Sequence, residues 1–174
     1  MDKNEKKNIE KISEEILVNY NFNGEVGVIQ IAQDNNFIVA QSKLRSYEQG
    51  FIFVNKDSDE ILGLETQKLI VVNSELKPEE KRFVIAHELG HYFLHCKDKS
   101  LYAHRDNIKG KEDSEQDVDY FAACLLMPGE NFSSLFNQLK KEKSDNKDII
   151  KDLSRKFRVP EESAKRRIVE LGLI

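Results

Sequence analysis

Residues 78–95 read PEEKRFVIAHELGHYFLH. The spacing of Phe83, Ala86, Gly90 and Leu94 predicts one long helix through this segment. Pro78 suits a first helical turn, and Glu79 and Glu80 suit its positive end. Inside the helix stands His-Glu-Leu-Gly-His, residues 87–91, an HExxH pattern. Residues four apart lie one turn, about 5.4 Å, from each other on one face. The imidazoles of His87 and His91 can therefore meet one Zn²⁺ at about 2.0–2.1 Å. Glu88 is rotated about 100° from His87, beside the metal without binding it, where it can take a proton from an attacking water. A core helix gives no other reason to bury two histidines and a glutamate together.

A catalytic zinc takes a third protein ligand and keeps one position open. His95 lies eight residues beyond His87, about 12 Å along a helix, too far to close on the same ion. His104 falls in a stretch, 100–111, that reads as a polar loop. Glu115 opens the next predicted helix, about 112–127, with Asp119 on its face four residues on. If Glu115 binds, Asp119 points the same way and can accept the spare N–H of a ligand histidine. An acidic, solvated helix start would also account for Glu112, Asp113, Glu115 and Asp117.

The rest of the chain frames this pair of helices. Ile9, Ile12, Ile16 and Tyr20 predict an amphipathic helix, and Val28, Ile31 and Ala32 a short second one ending near Asn35. Three β-like runs follow at 37–40, 51–54 and 69–72, with Phe51 and Phe53 taken as part of a buried strand. Three helical stretches close the chain: about 131–140, 147–157 and 161–171. Helices, then strands, then helices indicate an α+β fold with a small three-stranded sheet. The length, 174 residues, suits one domain, here 1–174. A formal net charge of -4 argues against a whole-chain polyanion binder. No apolar run approaches the roughly 18 residues of a membrane span, and the charged start lacks a signal segment. These features predict a cytoplasmic protein, in which Cys96 and Cys124 are thiols. Residues 147–174 are locally basic and read helix, turn, helix. They are expected to pack on the core rather than to read DNA, so direct nucleic-acid binding is not expected.

HELGHYFLH at 87–95, followed by E-x-x-x-D-x-F-A-A-x-L-L-M-P from Glu115 to Pro128, resembles the ImmA/IrrE metallopeptidases. Weaker resemblance extends over most of the chain. Val118 and Asp119 depart from the small Ala and the Asn common at those positions. The resemblance implies a zincin-like fold and places the third zinc ligand at Glu115. By analogy with thermolysin-like zincins, Asp119 would hold His87. It implies a zinc endopeptidase that cuts a helix-turn-helix repressor to derepress stress or mobile-element genes. Because this chain starts directly with its first helix, that repressor is expected to be a separate protein. Tyr102 and His104 are candidate donors to the developing oxyanion, with Tyr92 and Arg105 as further options. The substrate peptide is expected to lie along an exposed strand edge. The rival readings are a metal-containing module that sequesters its repressor uncut, and a DNA-binding regulator using the C-terminal helices.

Overall fold

The computed structural model describes residues 1–20, 22, 24–55, 68–96, 101–107, 113–143 and 145–174, with the side chains of 101, 104–107, 113 and 114 outside that description. Among the described residues it is an α+β fold of seven α-helices and one four-stranded sheet. The helices are α1 (Lys3–Leu17), α2 (Val28–Asp34), α3 (Pro78–His91), α4 (Asp113–Leu126), α5 (Gly129–Glu142), α6 (Asn146–Phe157) and α7 (Glu161–Glu170). The strands are β1 (Ile38–Ser42), β2 (Glu48–Asn55), β3 (Lys68–Asn73) and β4 (Leu101–Asn107).

The sheet order is β1-β3-β2-β4. β1 runs parallel to β3, while β2 is antiparallel to both β3 and β4. The expectation of three strands is corrected here, because 101–107 forms a strand where a polar loop is read from the sequence. The reason is physical. An edge strand is held by backbone bonds to one neighbour and needs no apolar alternation of its own. The central strand β3 shows the opposite pattern, with Ile70, Val71 and Val72 all buried. On β2, Ile52 and Val54 are in the core, whereas Phe51 and Phe53 on the other face are only half-buried. Phe51 and Phe53 are therefore not core residues of a fully buried strand.

Gly50 pairs with Val72, and Ile52 pairs with Ile70 on one side and His104 on the other. That face of the sheet carries α3. Asn73 secures the sheet's end. Its side-chain amide donates to the Glu48 carbonyl at 2.9 Å, and its oxygen accepts from Leu44 N at 3.4 Å and Glu75 N at 3.1 Å.

Helix α3 is the hub. It starts where Pro78 occupies the first turn and the Glu80 carboxylate accepts from Lys77 N at 2.8 Å. Val84, Ile85, Ala86, Leu89 and the HExxH residues are all buried, so the helix is enclosed on nearly every side. Arg82, also buried, donates to the carbonyls of Val26 (2.7 Å) and Arg158 (3.1 Å) and pairs with Glu25 at 3.1 Å. One guanidinium thus joins α3 to the segment before α2 and to the turn between α6 and α7. After His91 the α-helix widens into a single π-turn, Tyr92–Cys96. The α-helical spacing expected to run on to His95 ends there.

The approach of α4 to α3 decides where Glu115 sits. It depends on Gly90, which offers no side chain at the crossing. A Cβ there would lie 2.8 Å from Val118 Cγ1, 3.0 Å from Phe121 Cδ1 and 3.3 Å from the Val118 carbonyl oxygen. Gly90→Ala should gain up to about 1 kcal/mol of helix propensity and lose about 1–3 kcal/mol to overpacking. Net destabilisation is expected in chemical denaturation. Adding Val118→Ala should reverse most of it, since Val118 supplies the nearest atom. A Gly90→Ala chain as stable as wild type would show that the helices are not in closest contact at this point.

Candidate metal centre

Helices α3 and α4 bring His87, His91 and Glu115 to one point. One ligand-type atom from each lies within 4.8 Å of the other two. His87 Nε2 and His91 Nε2 are 3.2 Å apart. Glu115 approaches them at 3.2 Å (Oε2 to His87 Nε2) and 3.5 Å (Oε1 to His91 Nε2). The histidines are buried, and the Glu115 side chain is 12% exposed.

The far nitrogens of both rings are engaged. His87 Nδ1 lies 3.1 Å from Asp119 Oδ1, and His91 Nδ1 lies 3.2 Å from the Tyr102 hydroxyl. A carboxylate oxygen can only accept, so His87 Nδ1 carries the proton, and in the neutral imidazole that a ligand must be, Nε2 presents a lone pair. With Tyr102 accepting from His91 Nδ1, the second Nε2 presents one as well. In that protonation state three acceptors face one another at 3.2–3.5 Å, which is the arrangement of groups that share a cation. Four ligands at about 2.0–2.1 Å around a tetrahedral zinc would be separated by about 3.3 Å. The donor spacing and the N, N, O donor set therefore fit a zinc ion.

Glu88 is fully buried on α3. Gly50 on β2 leaves room for it, since a Cβ at Gly50 would come within 3.2 Å of Glu88 Oε1, 2.6 Å of Val84 Cγ1 and 2.9 Å of the Val71 carbonyl. Gly50 carries no motif and was not singled out from the sequence.

The remaining candidates fall as follows. Tyr102 reaches the site from β4 with its hydroxyl against the His91 ring. Burial, followed by the neighbouring Cys96, Glu88 and Glu115, raises its pKa well above the ordinary tyrosine value, so it stays a phenol. His104 pairs with Ile52 through the strand, while its side chain and that of Arg105 lie outside the described residues. The Tyr92 hydroxyl points elsewhere, accepting from Lys68 Nζ at 2.8 Å. His95 is no part of the donor set, with its ring centroid 6.0 Å from that of His91. Cys124 is buried, and burial pushes its thiol up to about 11. Cys96 is buried too, its Sγ 3.5 Å from the Tyr92 carbonyl.

The C-terminal basic residues mostly meet acids or the core. Arg158 pairs with Glu25 at 2.8 Å, Lys165 with Glu162 at 3.6 Å, and Arg167 is buried against α4 with Nε donating to the Met127 carbonyl at 3.1 Å. Phe157 of α6 packs on Phe132 of α5, with ring centroids 5.2 Å apart.

A chain whose buried helix pair presents HExxH and a downstream glutamate in this way has the architecture of a metallopeptidase domain. The chain belongs to the peptidase family M78, whose IrrE N-terminal-like domain model matches residues 37–169. It is 34% identical over 73 residues to the uncharacterized immunity region protein 2 of Bacillus phage phi105, spanning 40% of this chain and 46% of that protein. It is 35% identical over 74 residues to the radiation response metalloprotease IrrE of Deinococcus deserti, spanning 40% of this chain and 26% of that one. The matched part is thus less than half the length of either relative. A Mycobacterium tuberculosis transcriptional regulator shares the fold with a TM-score of 0.59 at 17% identity, covering 96% of this chain and 47% of that one. Among the described residues no helix is long and apolar enough to cross a membrane.

The space at Gly50 generates a test of the site. Gly50→Ala should push a methyl group towards Val84 and the Glu88 carboxylate, costing about 1–3 kcal/mol of stability. A crystal structure of the variant should show the Glu88 side chain displaced. An unmoved carboxylate with unchanged stability would mean that β2 yields more easily than its backbone contact with Val71 indicates.

Proposed function

We propose that residues 1–174 form one zinc metallo-endopeptidase domain of zincin-like design. The observation that carries this reading is the convergence of His87 Nε2, His91 Nε2 and Glu115 at the spacing of tetrahedral ligands. His87, His91 and Glu115 would hold the ion, which when bound supplies a Lewis acid beside the scissile carbonyl. Asp119 fixes the tautomer and orientation of His87 from 3.1 Å, and the Tyr102 hydroxyl orients the His91 ring from 3.2 Å. Glu88 accepts a proton from the attacking water and returns it to the leaving amine.

Tyr102 also bears on how a peptide would lie. Of the two edge strands, β1 and β4, β4 is the one that touches the donor set. An extended peptide adding to the outer edge of β4, the last strand of the described sheet, would be held straight past the metal by backbone hydrogen bonds. With its hydroxyl against His91, Tyr102 would have to turn away from that ring to serve a developing oxyanion. His104, on the same strand, is the other proposed donor. The substrate we propose is a helix-turn-helix repressor, cut in the cytoplasm to release the genes it silences. The likeness to a phage immunity-region protein and to a radiation response metalloprotease supports that setting.

His87→Ala or His91→Ala should abolish stoichiometric zinc measured by metal analysis. Glu115→Ala should weaken zinc strongly and Asp117→Ala should not. Full occupancy in either histidine variant would sink the ligand assignment. Glu88→Gln should keep zinc and fold while cleavage of a candidate repressor, followed by gel electrophoresis, drops by about 10²–10⁴-fold. Undiminished cleavage would exclude Glu88 as the base. Repressor that stays intact yet bound to the wild-type chain would favour sequestration.

A further inference from the structure

The geometry points to Arg166 of α7 as a positioning residue for the metal centre, acting through Asp119 on His87; this rests on the ligand set proposed above. The carboxylate of Asp119 has two oxygens with different partners. Oδ1 meets His87 Nδ1 at 3.1 Å, and Oδ2 meets the Arg166 guanidinium at 3.5 Å. Arg166 is itself held, its Nε donating to Glu170 Oε1 at 2.9 Å. The second oxygen of Glu170 faces Arg167 at 3.5 Å, and Arg167 is buried with Nε on the Met127 carbonyl at 3.1 Å. A continuous set of charged contacts thus runs from the end of α4, through two neighbouring arginines on α7, back to the middle of α4 and on to the imidazole.

The physical effect is orientation. A carboxylate held at one oxygen alone can rotate about its χ2 axis, so the direction in which it accepts the imidazole N–H is loosely defined. Arg166 fixes the second oxygen and so the plane of the group. Its positive charge also acts against a nearby cation, which opposes the first effect. The Arg166 side chain is 49% exposed and the Asp119 side chain 12% exposed. The intervening negative charge of Asp119 and the water around the half-exposed guanidinium both weaken that repulsion. The orientation effect is local and survives. Arg166 therefore supports zinc binding. It also places the C-terminal helix, 47 residues from Asp119 in sequence, among the structures on which the metal centre depends.

The test measures Zn²⁺ affinity of the full chain by chelator competition, together with the Co²⁺ absorption spectrum and the melting temperature of the zinc-free chain. Outer partners of metal ligands are worth about 10–100-fold, so Asp119→Ala should fall in that range and Arg166→Ala near its lower end, about 10-fold. Arg166→Lys keeps a charge without the fork and should lose only about 3-fold. In an Asp119→Ala background, Arg166→Ala should cause no further loss, and its Co²⁺ spectrum should match that of Asp119→Ala alone. Wild-type affinity in Arg166→Ala, or an equal loss whether or not Asp119 is present, would overturn the inference. Should Arg166→Ala fail to fold, Arg166→Lys and Glu170→Gln replace it, and wild-type affinity in both would be equally decisive against it. A wild-type chain that takes up no zinc would instead refute the ligand set itself.

Discussion

The close crossing of α3 and α4 at Gly90 is the constraint on which the rest of the site depends. The two metal-facing histidines come from one helix and the carboxylate from the other, so the donor triangle exists only at one separation of the two axes. With side chains filling the crossing, helices pack about 8–10 Å apart. A glycine under Val118 and Phe121 lets α4 approach more closely than a side chain at that position would allow. The interior absorbs little error, because close-packed atoms leave no space for a shifted backbone. Burial around α3 then serves two ends at once. It stabilises the fold through Val84, Ile85 and Leu89, and it holds His87, Glu88 and His91 in a water-poor setting where charge interactions are strong.

Around that crossing, each histidine of the proposed ligand set is held from outside by a different element. His87 is held by Asp119 of α4, which is braced by Arg166 of α7, while His91 is held by Tyr102 of β4. The sheet edge, which precedes α4 in the chain, and the C-terminal helix, which follows it, therefore both reach the same centre. Tyr102 joins the sheet edge to that centre, because it belongs to the edge strand of the described sheet and its hydroxyl meets His91. A peptide pairing with β4 would act directly on the strand that orients His91. Arg82 plays a quieter part, tying α3 to the segment before α2 and to the Arg158 turn with three contacts from one guanidinium.

His87, Glu88 and His91 were legible because their arrangement is local. The period of a helix alone decides that residues four apart share a face, and no tertiary information is needed. Glu115 and Asp119 were partly legible for the same reason, as they share a face of α4; helix length set His95 aside, but His104 and a merely solvated acidic helix start could be set aside only by the family resemblance. The helices of the C-terminal half read well, since Ile149, Leu153 and Phe157 recur at helical spacing and Asp145 caps the start of α6. β4 did not read as a strand, because an edge strand's bonds are made by its backbone and LYAHRDN carries no alternation. The π-turn after His91 was equally silent, as a single widened turn leaves the apolar pattern almost unchanged.

By itself the sequence determined the chemistry available: a helix with two imidazoles and a carboxylic acid on adjoining faces, a second helix with two carboxylates on one face, and an α+β order of elements. Those are properties of residue type and short-range spacing, which backbone geometry converts into direction without help. Tertiary structure alone decided which groups meet: Gly50 against Glu88, Tyr102 against His91, Arg166 against Asp119. These contacts join residues 11 to 47 positions apart. Their formation depends on sheet order, helix separation and the path of the chain, so no local pattern encodes them.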